Sequence, residues 1–185
     1  MISPEEFIPV AEQTGMIAQI GDFVFTEVCR FLSSGAPQHV GLQFVEVNLS
    51  AVQCMDTQLP ERLLSIAEGY GVSTSEINLE ITESAMVYSI NTMRSVMEEL
   101  TKDGFSFALD DFGTGRANLS YLQNFPFRII KVDKSFLWAE GESEDDHVIF
   151  ENMLSLIRGL RREAVAEGVE TKEQRDMLIS HGVEY

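Results

Sequence analysis

Residues 105–115 have the sequence FSFALDDFGTG, in which an alternating apolar run precedes two adjacent aspartates and two glycines. The alternation predicts a β-strand that stops at Asp110 and Asp111. Gly113 and Gly115 then allow backbone conformations that residues with side chains avoid. Two carboxylates at a strand end, followed by such a loop, could hold a divalent cation or form a solvated turn. The rest of the chain has to distinguish the two.

The composition is that of a globular domain with a strongly acidic surface. The chain has 185 residues, 44% of them hydrophobic, which is enough for one sizeable core. It carries 13 Lys and Arg against 30 Asp and Glu, a formal charge of −17. Such a surface repels nucleic acid and anionic membranes, so neither is an expected partner. A small anionic substrate would need a metal ion or a local lysine to approach.

The location is predicted from the cysteines and from the hydropathy of the chain. Two cysteines are too few for a disulfide framework and suit the reducing cytoplasm. No apolar run is long enough to cross a bilayer, and no signal peptide precedes Ser3. We therefore expect a cytoplasmic domain without direct membrane contact, although the parent protein could carry a membrane anchor elsewhere.

Strands and helices are predicted to alternate along the whole chain. Apolar stripes at helical spacing predict helices around Phe25, Met93 and Leu154, Pro60 opens another, and capping boxes at Ser3 and Thr171 mark the first and last. Pro9 is expected to kink or limit the first helix. The acidic run at residues 140–146 is expected to be a loop that caps the next helix. The five predicted strands lie in residues 42–48, 77–82, 105–110, 128–133 and 164–168. Such alternation predicts a parallel α/β sheet with right-handed crossovers.

Polar residues fall at or near the carboxyl ends of all five predicted strands. They are Asn48, Glu80, Asp110, Lys131 with Asp133, and Glu167. In a (β/α) barrel these ends share one rim, where catalytic groups gather. Solvated turns alone would rarely give this pattern in five consecutive strands. We therefore predict that these side chains, with Asp111, converge on one site.

Each signal taken singly has a simpler interpretation. Glu80 and Glu83 could be strand-end charges that face water, and Asn48 could bond its own backbone in a turn. Lys131 could be a surface lysine, but its apolar neighbours make an unpaired ammonium costly there. Asp133, two residues on, lies on the same strand face and is a natural partner for that lysine.

The kind of ligand favours a hard cation. Oxygen ligands without histidine or thiolate favour Mg²⁺ or Mn²⁺. Two such ions stabilise the attacking and the leaving oxygen of an in-line phosphoryl displacement. Asp111 beside Asp110 supplies the bridging arrangement that two ions need, and the glycine loop lets the carboxylate pair turn toward one site.

The motifs together resemble the EAL domain family of bacterial phosphodiesterases, which hydrolyse cyclic di-GMP to the linear dinucleotide. The matching segments occur in the family's order and cover essentially the whole chain. They are FIPVAEQTGMI, VNLS, EITES, DDFGTG, LSYL, IIKVDKSF and AEGVET. The resemblance implies a modified TIM-type (β/α) barrel, often a dimer, that uses two Mg²⁺ or Mn²⁺ ions.

The resemblance also implies a role for each matching residue. Asn48, Glu80 and Asp110 would be ligands of one metal ion. Asp110 would bridge to a second ion that Asp111 and Glu167 also hold.

The remaining roles are catalytic or structural. Lys131 would orient or help to activate the attacking water with the support of Asp133, and Glu167 belongs to the same catalytic group. Glu83 would steady the DDFGTG loop, and Glu170 would close the turn after Glu167.

The sequence departs from the family pattern at several places. The Glu-Ala-Leu motif does not precede Ser3, and the closing segment does not follow Tyr185. We therefore expect residues 1–185 to form a single EAL-type domain that is truncated at both ends, with an incomplete barrel and weak or absent hydrolysis by this chain alone. Arg116, Ala117 and Asn118 stand where the family usually has an aromatic and small hydroxyl residues, and Arg161 with Arg162 replaces the usual Gly-Leu.

Three functions are compatible with these residues. The chain could derive from an active cyclic di-GMP phosphodiesterase, from a degenerate EAL domain that senses cyclic di-GMP without cleaving it, or from a dimerisation module. Retention of Glu80, Asp110, Asp111, Lys131 and Glu167 favours the enzyme. The expected partners are cyclic di-GMP, a second copy of the chain, and regulatory or cyclase domains in the parent protein.

Overall fold

The computed structural model of the chain describes residues 2–87, 89–113, 119–133 and 144–183. Predictions for residues 116–118 and for the first part of the acidic run, residues 140–143, lie outside these ranges. Three α-helices precede the first strand, and the later α-helices of the described residues alternate with strands, as the sequence predicts. The α-helices are α1 Pro4–Thr14, α2 Ile17–Ser33, α3 Ala36–His39, α4 Leu59–Tyr70, α5 Ile90–Lys102, α6 Leu119–Asn124, α7 Glu144–Gly159 and α8 Lys172–Ser180.

Five strands form a sheet in which they follow one another in chain order. They are β1 Val45–Asn48, β2 Ile77–Thr82, β3 Ser106–Phe112, β4 Phe127–Val132 and β5 Glu163–Ala166. The pairs β1–β2, β3–β4 and β4–β5 are parallel. Each strand leads into a crossover that contains a helix, which is the connection that parallel strands require. The prediction of a parallel α/β sheet is confirmed.

The chain divides into two compact units. The first comprises residues 1–81 and 87–106, and the second residues 82–86 and 107–185. In the first unit α2 packs against α4. Phe25 on α2 contacts Phe105 with ring centroids 6.0 Å apart. The predicted stripe on α5 is completely buried (Met93, Val96, Met97 and Leu100).

The second unit is built on β4 and β5 with α7 packed beside them. Phe125 and Phe127 stack at 6.0 Å at the start of β4. Leu154 and Ile157 on α7 are buried, which confirms the apolar stripe predicted for that helix. Burial of these aromatic and aliphatic side chains supplies the main stabilisation of the unit.

Most helix ends agree with the sequence signals. The Ser3 amide donates to Glu6 Oε2 at 3.2 Å, and the Gln174 amide donates to Thr171 Oγ1 at 3.2 Å, as in capping boxes. Helix α1 contains Pro9 but continues to Thr14, so this proline does not end it. Strand β1 begins only at Val45, later than the sequence suggested.

Strand β3 differs from its prediction in a way that matters for the site. The sequence predicts that it stops at Asp110 and Asp111, whereas the strand continues through both to Phe112. Leu109 pairs with Ile130 and Phe112 with Val132, so two residues of β3 lie opposite the single residue Lys131. This arrangement is a β-bulge.

None of the helices in the described part of the chain is both long and apolar enough to cross a membrane.

Candidate functional site

The bulge in β3 shapes the aspartate pair. Asp111 has φ +55°, in the left-handed region that residues other than glycine rarely occupy. Gly113 follows with φ +103°. In a regular strand two adjacent side chains point to opposite faces. The bulge interrupts that alternation. The left-handed conformation begins at Asp111, whereas the sequence predicts unusual backbone conformations only at the glycines that follow.

Lys131 lies between two carboxylates in the second unit. Its Nζ is 2.6 Å from Glu167 Oε1 and 3.3 Å from Asp110 Oδ1. The lysine is only 9% exposed, so the ion pairs offset the cost of burying its charge. Lys131 pairs in register with Val165, and Glu167, two residues further on, lies on the same face.

One oxygen of the Asp110 carboxylate is available to bind a cation. Its Oδ1 is buried and has no hydrogen bond among the described residues, although it lies within ion-pair distance of Lys131. The two observations are compatible because an ion pair needs proximity but a hydrogen bond also needs alignment. A buried carboxylate oxygen of this kind is suited to a cation.

The pKa of Asp111 reflects the charges of the side chains around it. Burial raises the pKa of its carboxyl group, and the neighbouring carboxylates Asp110, Asp133 and Glu167 raise it further, while Lys131 lowers it. These five groups comprise four carboxylates and one ammonium, so negative charge is in excess. A bound cation would relieve that excess.

Glu83 holds the backbone just after the bulge. It is 6% exposed, and its Oε2 accepts a hydrogen bond from the Gly113 amide at 2.8 Å. A charge-assisted bond to a backbone amide fixes the loop direction more firmly than a neutral one. The contact is the one that a loop-steadying role requires, and that role remains a prediction.

In the first unit, Asn48 and Glu80 are neighbours at the ends of β1 and β2. They are register partners, and the Leu49 amide donates to the Glu80 carbonyl at 2.8 Å. Glu80 is 5% exposed, whereas Asn48 is exposed. Two residues earlier on these strands, Asn78 Nδ2 donates to Glu46 Oε1 at 3.0 Å, and Asn78 Oδ1 accepts from Oγ of Ser106, the first residue of β3, at 2.8 Å.

Glu170 and Asp133 belong to the second unit. The side chain of Glu170 is exposed, and its amide donates to Gln174 Oε1 at 2.8 Å in the turn before α8. The Asp133 amide lies 3.5 Å from the Phe112 carbonyl, just after β4. Their predicted roles, turn closure and support of Lys131, stay predictions.

The acidic residues of the second unit fit a metal ion. Asp110 and Glu167 could each offer a carboxylate oxygen to one. The second unit brings together Asp110, Asp111, Lys131, Asp133 and Glu167. The convergence of Asn48 and Glu80 with them on one rim remains a prediction.

Sequence patterns missed one connection near Asn48. Ser50 donates from Oγ to Glu12 Oε1 at 2.5 Å, which links the loop after β1 to α1. The two residues are separated by 38 positions, and no periodicity relates them. Both residues stand within the matching segments VNLS and FIPVAEQTGMI, but the segments alone do not indicate that they touch.

Comparisons with known proteins agree with the fold and the motifs. A family model described as EAL domain matches residues 1–185. The chain is 34% identical over 182 residues to the bifunctional diguanylate cyclase/cyclic di-GMP phosphodiesterase MucR of Pseudomonas aeruginosa, covering 98% of this chain and 27% of that protein. It is 36% identical over 177 residues to the oxygen sensor protein DosP of Escherichia coli, covering 96% of this chain and 22% of that protein.

A solved structure gives the same result in three dimensions. The PaMucR phosphodiesterase in complex with c-di-GMP superposes with a TM-score of 0.86 at 33% identity, covering 99% of this chain and 80% of that chain. The chain thus spans about a quarter of the length of the two curated relatives. From the family match and the superposition together, the chain belongs to the EAL domain family and has its TIM-type α/β fold.

Proposed function

We propose that this chain hydrolyses cyclic di-GMP to linear di-GMP as part of a bacterial signalling protein. The proposal rests on the family and on the chemistry of the cluster around Lys131. MucR is named a bifunctional diguanylate cyclase/cyclic di-GMP phosphodiesterase, and the chain retains Glu80, Asp110, Asp111, Lys131 and Glu167, the residues to which the resemblance assigns metal binding and catalysis.

The observation that carries the proposal is the position of Lys131. A buried ammonium within 3.3 Å of Asp110 and 2.6 Å of Glu167 is held in one place by two opposite charges. A fixed N–H donor of this kind can orient a water molecule for attack on a phosphodiester. A surface lysine without such partners would not be positioned in this way.

The proposed metal ligands are oxygen donors at or near the carboxyl ends of the strands. Asn48, Glu80, Asp110, Asp111 and Glu167 would hold Mg²⁺ or Mn²⁺, two ions when the site is complete. Carboxylate and amide oxygens match the preference of these hard cations. When bound, such ions polarise phosphoryl oxygens and lower the pKa of bound water.

The other residues maintain the geometry. Lys131 donates hydrogen bonds to the water, and Asp110 and Glu167 fix its ammonium. Asp133 supports the lysine from the next position on the same strand face. Glu83 keeps the loop after the bulge in place through the Gly113 amide.

The test is hydrolysis of cyclic di-GMP by the purified full-length parent protein, followed by chromatographic separation of the linear product, with Mn²⁺ and with a chelator. Lys131→Met should lower the rate by about 100-fold, since misplacing a reactant can cost that much. Arg128→Met is the matched control on the same strand. It removes only an exposed ion pair with Glu163 and should change the rate less than twofold.

The alternatives give different outcomes. Tight binding of cyclic di-GMP with no linear product from the full-length parent protein would indicate a degenerate sensor. If the full-length parent protein neither binds nor cleaves cyclic di-GMP, the result would indicate a dimerisation module. The weak activity expected for residues 1–185 alone stays a prediction, which comparison of this chain with its full-length parent checks.

We also propose that the parent protein couples this domain to others. MucR is named a bifunctional cyclase and phosphodiesterase, and DosP an oxygen sensor. Cyclase or regulatory domains and a homodimer are therefore the proposed partners, and the proposed location is the cytoplasm.

A further inference from the structure

The loop after β1 is tied to the first helix of the chain by one side-chain contact. Ser50, two residues after Asn48, donates from Oγ to the Glu12 carboxylate at 2.5 Å. Both residues are half-buried. A hydroxyl bonded to a carboxylate at this distance is a charge-assisted hydrogen bond, among the stronger kinds in proteins.

Ser50 also organises the loop itself. Its Oγ accepts from the Val52 amide at 3.2 Å, and its carbonyl accepts from the Gln53 amide at 3.0 Å and from the Cys54 amide at 3.2 Å. The Ser50 amide donates to Gln53 Oε1 at 3.1 Å. The turn is therefore closed in both directions by its own hydrogen bonds.

A second helix supports the same turn. Gln53 is 5% exposed, and its amide group packs on Gly21 of α2 so closely that a Cβ at Gly21 would collide with it. The turn is thus held by α1 through Glu12 and by α2 through Gly21. Only the first of these contacts is a charge-assisted bond that a single substitution can weaken without changing packing.

We infer that Glu12 is a positioning residue for Asn48, acting through Ser50. The inference rests on the proposed role of Asn48 as a metal ligand. Leu49, between Asn48 and Ser50, donates from its amide to the Glu80 carbonyl, so the backbone that directly follows Asn48 is fixed by β2 at Leu49 and by α1 at Ser50. Partners that orient ligands in this way typically change metal affinity by about 10-fold to 100-fold when they are lost.

The experiment measures Mn²⁺ affinity by titration calorimetry, with thermal unfolding recorded in parallel. Glu12→Ala and Ser50→Ala should each weaken Mn²⁺ binding about 10-fold, and the double variant should bind no more weakly than Ser50→Ala, because that single substitution already removes the bond to Glu12. Gln13→Ala, an exposed neighbour on α1, is the control and should bind as the unchanged protein does.

Glu12→Gln separates position from charge. Its amide oxygen can still accept from Ser50 Oγ, so affinity should be within about threefold of the unchanged protein. If Gln weakens binding as much as Ala does, the effect is due to the lost charge and the inference is wrong. Loss of unfolding temperature with unchanged Mn²⁺ affinity in Glu12→Ala and Ser50→Ala would overturn it in favour of a structural role.

Asn48→Ala and Asp110→Asn distinguish failure of this inference from failure of the proposed function. If these variants weaken Mn²⁺ binding but Glu12→Ala does not, the proposed metal site is supported and the positioning role of Glu12 is wrong. If none of the variants changes Mn²⁺ binding, the proposed metal site itself is wrong.

Discussion

Gly104 is a residue whose conformation and surroundings both require glycine. Its φ is +98°, and a Cβ there would lie 2.5 Å from Thr74 Oγ1, a hydroxyl that donates to the Asp103 carbonyl at 2.7 Å. Gly104→Ala should therefore lower the free energy of unfolding by about 2 kcal/mol. Urea denaturation followed by circular dichroism measures the change.

Gly69 provides the matched control for that substitution. It lies exposed inside α4, and a Cβ there would meet no atom within 4 Å. Gly69→Ala should stabilise the protein by about 0.5 to 1 kcal/mol because alanine is the better helix former. Equal effects of the two substitutions would contradict the role assigned to Gly104.

Asp110 is the residue on which we expect the proposed metal site to depend most. Asp110→Asn keeps the shape of the side chain but removes the charge that the proposed bridging role requires. We expect Mn²⁺ affinity to fall at least about 10-fold, since carboxylates are the strongest ligands available to such ions here. Calorimetric titration that gives equal affinity for the variant would refute the bridging role.

At the scale of the element, the end of α7 contains a strained residue. Arg161 has φ +57°, and the Arg162 amide donates to the Ile157 carbonyl at 3.1 Å, as in a helix end that glycine usually terminates. The left-handed conformation costs other residues about 1 kcal/mol. This explains why the family resemblance leads one to expect glycine at this position.

Arg161→Gly should therefore stabilise the protein, by about 0.5 kcal/mol once the greater freedom of glycine in the unfolded chain is included. Arg162→Gly removes the same charge at a residue with negative φ, and it should destabilise. Thermal denaturation of the two variants at equal ionic strength compares them. A lower midpoint for Arg161→Gly would show that strain at this helix end is negligible.

The elements that follow a simple period could be predicted from the sequence. Strand β2 and the buried stripe of α5 were predicted correctly because apolar residues recur every 2 positions in a strand and every 3.6 positions in a helix. The bulge at Asp110 and Asp111 could not be predicted, since it depends on pairing with β4. The four-residue helix α3 lacks a period long enough to detect. The Glu12–Ser50 bond joins distant segments that only the folded chain brings together.

At the scale of the whole molecule, both thiols are inaccessible. Cys29 and Cys54 are fully buried, and burial raises the pKa of Cys29 from 9.0 to about 11 and that of Cys54 to about 12. At pH 8 about one Cys29 thiol in 1000 would be ionised. The native protein should therefore not react with a disulfide reagent within minutes, whereas the unfolded chain should release two equivalents. Rapid native labelling would contradict this burial.

The same shifts predict how stability depends on pH. Because the folded state raises the thiol pKa, the stabilisation from the neutral buried groups is complete below pH 9 and is lost as the pH rises toward 11. Each thiol should lower the unfolding free energy by about 1 kcal/mol per pH unit in that interval. Cys54→Ala should show a smaller slope between pH 9 and 10.5 in urea titrations. An unchanged slope would mean that other groups cause the loss.

Because of the bulge in β3, the strand could lose one of its two aspartates without changing which face of the sheet its apolar residues occupy. Leu109 and Phe112 are both buried and lie on the same face of the sheet, although three positions apart, because Asp110 and Asp111 together occupy the space of one residue. Deleting one aspartate would place leucine and phenylalanine two positions apart, which keeps them on the same face in a regular strand. Evolution can therefore add or remove one carboxylate in this strand by inserting or deleting a single codon, and the buried leucine and phenylalanine stay on the same face of the sheet.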